Sequence, residues 1–358
     1  MHVGAPKTGT TYLQDRLGRN VKSLAAHDVH VPTRPPLMSS GMFHFRAALD
    51  LMGQDWGGPA GHAEGSWDAM VRRVRRAHGT SIISHEILAP ALAEHVARLK
   101  ADLSGAEIHI VYSARDLARQ APEGWQESVK QGRRWKYGRY LSRVRNGRPW
   151  FARAFDLPTV LSTWGNGLPP EHVHVVTVPQ PDAVTADPDL LWHRFCRAFA
   201  IEPAWAPEDS ERTNASLGSA ETQVLRALNE RIGRTTRDNP GYDALILGML
   251  ADETLGGQES RPILLPPKFL GWARERAESW IEWLEQSGVD VVGDPADLLP
   301  EPWPEGEKFK HPDRISTKSQ LHAALDALAA MTEEAASRPD PDASMLARIR
   351  RARDASRR

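Results

Sequence analysis

Cysteine is nearly absent from this 358-residue sequence, in which Cys196 is the only one. A single cysteine excludes an intrachain disulfide framework and a cysteine-ligated metal site. Cys196 lies in an amphipathic, helix-like run over 190–200, where we expect it to pack as a small apolar side chain. A reducing cytoplasm is the location expected for such a chain.

Long hydrophobic runs and a strong net charge are also lacking. No stretch approaches the length needed to cross a bilayer, and residues 1–3 are too few for a signal peptide, so neither membrane insertion nor secretion is expected. The 45 basic and 46 acidic residues give a formal net charge of −1, which disfavours a general nucleic-acid-binding function. The length and balance are typical of a soluble enzyme with one large core or two smaller ones.

Short runs rich in isoleucine and valine occur at 81–83, 107–113 and 172–178, and helix-like stretches such as 91–103 separate them. This alternation predicts an α/β fold, with a central, mainly parallel sheet between helical layers and a mostly helical C-terminal part. Ligands of such sheets bind beyond the carboxyl ends of the strands. The residues to inspect are therefore 7–11, 84–86 and 115–116.

Residues 4–11 read Gly-Ala-Pro-Lys-Thr-Gly-Thr-Thr, between a short apolar stub and a helix-like segment over 12–17. A strand, tight loop and helix in this order form a phosphate cradle from backbone N–H groups, with Lys7 as a point charge. The commonest phosphate loop is excluded because its lysine follows the last glycine, whereas Lys7 precedes Gly9. Only His2 and Val3 are left for the first strand, so we expect an upstream start codon or a trimmed terminus.

The hexapeptide Pro-Lys-Thr-Gly-Thr-Thr resembles the 5'-phosphosulfate loop of the sulfotransferase family, most closely its bacterial, actinobacterial members. Those enzymes take sulfate from 3'-phosphoadenosine 5'-phosphosulfate (PAPS) and release 3'-phosphoadenosine 5'-phosphate (PAP). The resemblance implies a P-loop-like three-layer fold, with Lys7 also stabilising the leaving group. The alternative is a glycine- and threonine-rich turn with a solvated lysine. The donor-binding residues that the resemblance implies are Pro6, Lys7, Thr8, Gly9, Thr10 and Thr11.

A second signature of that family is a strand that ends in Arg-Asp or Arg-Asn, as residues 108–116 do here. In the family, this arginine and a serine about eight positions later hold the 3'-phosphate. Arg115 carries over, but Glu123 stands at the serine's position, and the nearest following serine is Ser128, which would require a shifted helix. The alternative for Arg115 is a salt bridge with Asp116 or another neighbour.

Two proton acceptors, His85 and Glu86, follow the run at 81–83. Sulfuryl transfer needs a base for the acceptor's proton, and either residue type can serve at neutral pH. The family uses histidine in its cytosolic small-molecule group and glutamate in its carbohydrate and tyrosyl-protein groups, and the resemblance favours Glu86 over His85. The alternative is that Glu86 caps a helix and His85 fills a polar pocket. This chemistry requires no metal, and none is expected.

Two later segments carry further candidates. Residues 130–153 contain many basic and several aromatic residues and no acidic one, which fits a solvated helix face, an anionic-substrate or nucleotide contact, or a single-stranded nucleic-acid site. The pattern Arg-x-Asn-x-Ser-Leu-Gly at 212–218 resembles a family loop that folds over the nucleotide, which makes Arg212 and Asn214 candidate donor-binding residues. The alternative for Asn214 is a helix N-cap.

The composition changes near residue 301, which predicts a sulfotransferase-like domain over 1–300. We expect a proline-rich linker, an amphipathic helix over 316–331 and a disordered basic tail in 301–358. The predicted function is sulfuryl transfer from PAPS to a small-molecule or glycan acceptor, without nucleic-acid partners. Two alternatives remain: a P-loop nucleotide phosphotransferase, and a catalytically silent nucleotide-binding protein of the same fold.

Overall fold

The computed structural model describes residues 1–34, 38–148, 150–212, 217–237, 239–256, 261–338, 350 and 353–354. The strands are β1 Val29–His30, β2 Thr80–Ser81, β3 Ile110–Ala114, β4 Val173–Thr177 and β5 Asp290–Val292. The α-helices are α1 Thr10–Arg19, α2 Val21–Ala25, α3 Ser40–Leu51, α4 Ser66–Val74, α5 Ala93–Asp102, α6 Leu117–Lys130, α7 Tyr137–Arg145, α8 Trp150–Phe155, α9 Leu157–Trp164, α10 Pro181–Ala186, α11 Leu190–Phe199, α12 Ser219–Arg231, α13 Arg234–Arg237, α14 Pro240–Asp243, α15 Pro267–Ser287 and α16 Thr317–Ser337. Short 3₁₀ turns cover Glu86–Leu88, Pro170–His172, Pro203–Trp205 and Pro295–Leu298, and a π-helical stretch covers Ala244–Thr254.

The amino-terminal residues run through the middle of the sheet. The amide of His2 donates to the carbonyl of Ile83 (2.8 Å), and the amide of Val3 donates to the carbonyl of Val111 (2.9 Å). His2 thereby joins the chain just beyond β2 to β3, in parallel on both sides. With β1 beside β2 and with β4 between β3 and β5, the strand pairs of the sheet are all parallel in the described residues.

The two faces of the sheet support two apolar clusters because successive side chains of a strand point to opposite sides. On β3, Ile110 and Tyr112 belong to the larger cluster, which the helices from α3 to α9 and α15 help to form. Val111 belongs to the smaller cluster, which includes Leu13 of α1 and Phe195 of α11. The predicted α/β class, a parallel sheet between helical layers, is confirmed.

The single cysteine packs as expected. Cys196 is buried in the smaller cluster, on the same helix as Trp192 and Phe195. Burial raises the pKa of its thiol to about 12, although the charge of Arg16 opposes this shift. The thiol is therefore neutral at physiological pH and acts as a small apolar side chain.

Sequence patterns located several of the regular elements. The helix-like segments predicted over 12–17, 91–103 and 190–200 correspond to α1, α5 and α11. Two strands were not predicted from the sequence. These are β1, which has only two residues, and β5, whose alternating Asp-Val-Val is too short to give a strand signal without its neighbour β4.

The C-terminal segment after residue 300 packs against the rest of the chain as far as residue 338. Helix α16 lies against α12 and buries Ala323 and Ala327. The carboxylate of Asp313 accepts hydrogen bonds from the amide of Tyr137 (3.0 Å) and from Gln223 (2.8 Å). Helix α16 matches the helix predicted over 316–331 and continues to Ser337, and most of the predicted basic tail lies outside the described residues. Among the described helices, none is both long and apolar enough to cross a bilayer.

Candidate functional site

A cleft of about 2300 Å³ opens at the carboxyl ends of the central strands. The three segments that the sequence singled out all line it: the loop after the first strand, the residues after β2 and the end of β3. Lys7, Glu86 and Arg115 are among the lining residues, although they are far apart in sequence. The volume exceeds the roughly 300–1000 Å³ of a typical small-molecule pocket.

The loop of residues 4–9, between the amino-terminal residues that pair with β3 and the start of α1, has an unusual backbone conformation. Lys7 has φ +66° and Gly9 has φ +86°, both in the left-handed region. Glycine adopts this region without strain, whereas a β-carbon at Gly9 would also come within 2.8 Å of Leu191 Cδ2. The two left-handed residues turn the chain sharply from the strand into α1.

Side chains from β3 and α6 fix the carbonyl groups of this loop. Arg115 donates to the carbonyl of Lys7 (2.9 Å), and Gln120 donates to the carbonyl of Pro6 (2.8 Å). The hydroxyl of Thr8 donates to the carbonyl of Ala5 (2.6 Å). These three contacts hold the conformation of the loop before α1.

The backbone amides at the start of α1 are unpaired in the described part of the cleft. Gly9, Thr10 and Thr11 line the cleft, and their N–H groups have no hydrogen-bond acceptor in the described part of the chain. The first turn of α1 carries no acidic side chain. Unpaired N–H groups and the positive end of the helix dipole together attract an anion.

Lys7 is paired with a carboxylate in the cleft. Its ammonium lies 2.7 Å from Glu127 of α6, and both side chains are mostly buried. Burial alone would lower the pKa of Lys7, but the charge of Glu127 and the hydrogen bond between them raise it above its usual value. Burial alone would raise the pKa of Glu127, and Lys7 and Lys130 lower it instead. Both groups are therefore charged at neutral pH.

Arg115 is paired in the same way. Its guanidinium lies 2.9 Å from Glu123, the residue at the position of the family's serine. Its Nε atom is buried and has no partner among the described residues. Asp116 does not pair with Arg115; it caps α6 through the amide of Arg119 (3.0 Å) and forms an ion pair with that side chain. Arg115 thus lines the cleft with its Nη1 atom held by Glu123 and by the carbonyl of Lys7.

His85 and Glu86 stand side by side in the wall of the cleft. His85 Nδ1 lies 3.7 Å from Glu86 Oε2, and that oxygen accepts a hydrogen bond from Gln14 of α1 (2.9 Å). Burial lowers the pKa of His85, and the charge of Glu86 only partly opposes this, so the imidazole is neutral at pH 7. The cap of the following 3₁₀ turn is His85, which accepts from the amide of Ile87 (3.3 Å), and not Glu86.

The remaining sequence candidates have different surroundings. Ser128 lines the cleft, but its hydroxyl donates to the carbonyl of Trp125 in its own helix (2.7 Å). Arg212 also lines the cleft; it is largely exposed and lies 3.9 Å from Asp15 of α1. Asn214 lies outside the described residues.

The basic segment after α6 forms another part of the cleft wall. Trp135 is flanked by Arg133 and Arg143, whose guanidinium carbons lie 5.9 Å and 4.7 Å from its ring centre. Arg134 and Arg139 are exposed on the same wall and have no carboxylate partner in the described residues. We refer to Arg133, Arg134, Trp135, Lys136 and Arg139 as the basic wall.

Sequence reasoning missed the carboxylates of Glu127 and Glu123, which neutralise Lys7 and Arg115. It also missed the side-chain amide of Gln120, which donates to the loop carbonyl of Pro6. Glu123 and Glu127 are four residues apart, so their placement on one face of α6 was readable. That this face turns toward Lys7 was not readable, because 120 positions separate Lys7 from Glu127. Gln120 and Gln14 gave no sequence signal.

No family model matches this sequence, and no curated protein is similar enough to count as a relative. Among solved structures, a crystal structure of a sulfotransferase from Alicyclobacillus acidocaldarius is similar to this chain at 16% sequence identity. The match covers 66% of this chain and 96% of that one, with a TM-score of 0.33. A likeness at this identity and TM-score is too distant to assign a function to this chain.

Proposed function

We propose that this protein transfers a sulfuryl group from PAPS to a hydroxyl or amine acceptor. The observation that carries the proposal is the meeting, in one cleft, of Lys7, the unpaired amides at the start of α1, and Arg115. Two separate cationic positions fit a donor with phosphate groups at both its 5' and 3' positions. His85 and Glu86 supply a base in the same cleft.

In this proposal, the loop and Lys7 hold the 5'-phosphosulfate. The amides of Gly9, Thr10 and Thr11 donate to its oxygens, as helix N-termini do to phosphates. As the bridging S–O bond breaks, negative charge develops on the oxygen of the departing bisphosphate, and the Lys7 ammonium stabilises it. The buried surroundings of Lys7 strengthen this interaction because water screens it poorly.

Arg115 is assigned to the 3'-phosphate, which a guanidinium can bind through two parallel hydrogen bonds. Glu123 lies 2.9 Å from this guanidinium, so its negative charge opposes the incoming phosphate. Glu127 opposes the phosphosulfate at Lys7 in the same way. The two glutamates therefore act as internal counter-ions that compete with the donor.

Glu86 is assigned as the base, with His85 as the alternative. As the new bond between the acceptor oxygen and sulfur forms, the acceptor's proton moves to a carboxylate oxygen of Glu86. The hydrogen bond from Gln14 to Glu86 Oε2 fixes the position of this carboxylate. If His85 were the base, it would act in the neutral form that its lowered pKa maintains.

The basic wall is assigned to the acceptor. It lies along the same cleft, and its arginines have no carboxylate partner within the described residues, so an anionic acceptor matches its charge. The partly exposed ring of Trp135 offers an apolar surface on which a sugar ring can stack. We therefore propose an acceptor with a negative charge, such as an acidic saccharide, and a cytoplasmic site of action.

The test is calorimetric titration with PAP, beside ATP with magnesium, on the wild type and on Lys7→Ala and Arg115→Ala. Lys22→Ala is a matched control because Lys22 is an exposed lysine on α2, away from the cleft. We expect micromolar PAP binding that both cleft variants weaken at least tenfold and that the control retains. Preference for magnesium-ATP would instead favour a phosphotransferase, and absence of PAP binding would overturn the proposal.

Turnover separates an enzyme from a silent binding protein. PAPS consumption is measured against a panel of acidic and neutral saccharides and small alcohols. Lys7→Ala is expected to abolish turnover, whereas Glu86→Gln is expected to keep PAP affinity and to slow transfer at least a hundredfold. If Glu86→Gln is fully active and His85→Gln is not, the base is His85. Wild-type rates in both Lys7→Ala and Glu86→Gln would contradict the assigned roles.

A further inference from the structure

A second group of polar side chains lies at the opposite edge of the sheet, at the amino ends of β3, β4 and β5. Glu107 and His109 precede β3, and His172 ends the 3₁₀ turn before β4. His174 is the second residue of β4, and Asp290 is the first of β5. Because the strands are parallel, this edge is remote from the cleft, and the proposed transfer does not use it.

Three potential ligand atoms converge on one point in this group. His109 Nε2 lies 2.8 Å from Glu107 Oε1, and His172 Nε2 lies 3.5 Å from the same oxygen. The two imidazole rings are stacked with their centres 4.2 Å apart. One ligand atom from each of the three residues lies within 4.8 Å of the others.

The positions of the hydrogens follow from a chain of contacts behind these atoms. His174 Nδ1 lies 2.7 Å from Asp290 Oδ2, and a carboxylate only accepts, so Nδ1 carries a hydrogen. His174 Nε2 lies 2.9 Å from His109 Nδ1, so a hydrogen on His109 Nδ1 fits this contact. In that tautomer the lone pair of His109 Nε2 faces the Glu107 carboxylate.

Two lone pairs 2.8 Å apart repel each other unless a cation lies between or beside them. Hydrogens on both Nε2 atoms, each directed at the Glu107 carboxylate, are the alternative to a metal ion that the titration below distinguishes. A metal ion satisfies all three atoms together. Metal-binding histidines are commonly oriented by a hydrogen bond from the second ring nitrogen to a carboxylate, and here His174 stands between His109 and the Asp290 carboxylate.

We propose that Glu107, His109 and His172 bind a divalent transition-metal ion of the zinc class, with His174 and Asp290 orienting His109. Two imidazoles and a carboxylate suit Zn²⁺, with water as the fourth ligand. The ligands come from the chain before β3 and before β4, so the ion fastens these two segments together. Its expected effect is on stability and not on the cleft.

The test uses untagged, full-length protein that has been treated with a chelator and titrated with Zn²⁺, and with Co²⁺ for visible absorption. We expect one ion per chain, a Co²⁺ absorption band, and a melting temperature that rises by a few degrees at saturating Zn²⁺. His109→Ala and His172→Gln should abolish these signals, and Asp290→Asn should weaken affinity about 10- to 100-fold. His193→Ala is the matched control, since His193 is an exposed histidine 3.5 Å from Asp187 on another surface.

Each outcome decides the proposal. Binding that is lost in His109→Ala and His172→Gln and is retained in His193→Ala supports it, provided that circular dichroism shows both cluster variants folded. If His109→Ala fails to fold, the His172→Gln and Asp290→Asn titrations carry the test alone. Absence of saturable binding to the wild type up to ~100 μM ion, well above the dissociation constants of protein zinc sites, overturns it. Equal loss in the His193→Ala control also overturns it.

Discussion

Replacing Glu123 by glutamine should tighten the binding of a 3',5'-bisphosphate. Glu123 lies 2.9 Å from Arg115 in the structure, so a 3'-phosphate that binds Arg115 meets the negative charge of this carboxylate. Glutamine has nearly the same size and keeps a hydrogen-bond acceptor, but it removes the negative charge. The affinity of PAP should therefore rise, which is the reverse of the usual effect of a substitution in a binding site.

The magnitude follows from the charges and their exposure. Two unit charges about 4 Å apart interact by roughly 4 kcal/mol at an effective dielectric constant of 20. The side chains of Arg115 and Glu123 are 17% and 29% exposed, and ion pairs in contact with water are worth only up to about 1 kcal/mol. A value between these limits, about 1.4 kcal/mol, corresponds to a tenfold lower dissociation constant.

The assay is calorimetric titration with PAP and with AMP, which lacks the 3'-phosphate. Glu123→Gln should tighten PAP binding about tenfold and change AMP binding little, because only PAP carries the 3'-phosphate that is assigned to Arg115. Glu230→Gln serves as the control, since Glu230 also lines the cleft but pairs with Arg226. Unchanged or weaker PAP binding in Glu123→Gln would refute the assignment of Arg115, and equal gains for PAP and AMP would show a general charge effect.

Three further perturbations test other parts of the molecule. Burial lowers the pKa of His44 to about 4, below its unfolded value near 6.5, so the unfolded chain binds more protons as pH falls through that window. At pH 5 this costs about 2 kcal/mol of stability. The denaturation midpoint of His44→Gln should therefore fall less between pH 7 and pH 5 than that of the wild type, and an equal fall would contradict this. Gly9→Ala should lose PAP affinity because of its left-handed φ of +86°, whereas Gly271→Ala, in open space, should not; equal PAP affinity in both variants would show that the loop tolerates a β-carbon. Joint replacement of Arg134 and Arg139 by alanine should weaken the binding of a sulfated saccharide several-fold in calorimetry and leave the binding of its neutral counterpart unchanged. Unchanged binding of the sulfated saccharide would show that the basic wall does not bind the acceptor.

Local sequence patterns were sufficient where short-range physics decides the structure. The order of apolar stub, Gly-Ala-Pro-Lys-Thr-Gly-Thr-Thr and amphipathic helix led to the expected strand, loop and helix, with α1 starting at Thr10. The rule that ligands bind beyond the carboxyl ends of parallel strands then singled out Lys7, Glu86 and Arg115, and all three line one cleft. The roles of these residues remain predictions.

Local patterns failed where an element depends on a distant partner. Strand β5 has three residues, and it is a strand only because β4 pairs with it. The same limit applied to Ser128, because a sequence can show that a serine is near the cleft but not that its hydroxyl bonds to the carbonyl of Trp125. Isolated short segments gain too few contacts to fix their own conformation.

The sequence by itself determined the α/β class, the loop before α1 and the strand ends at which polar residues collect, because hydrophobic periodicity and glycine positions act over a few residues. Only the tertiary structure decided that Glu127 and Glu123 neutralise Lys7 and Arg115, and that Glu107, His109 and His172 meet at the other edge of the sheet. Those contacts join residues that are up to 120 positions apart, and their geometry depends on how helices and strands pack, which no local pattern encodes.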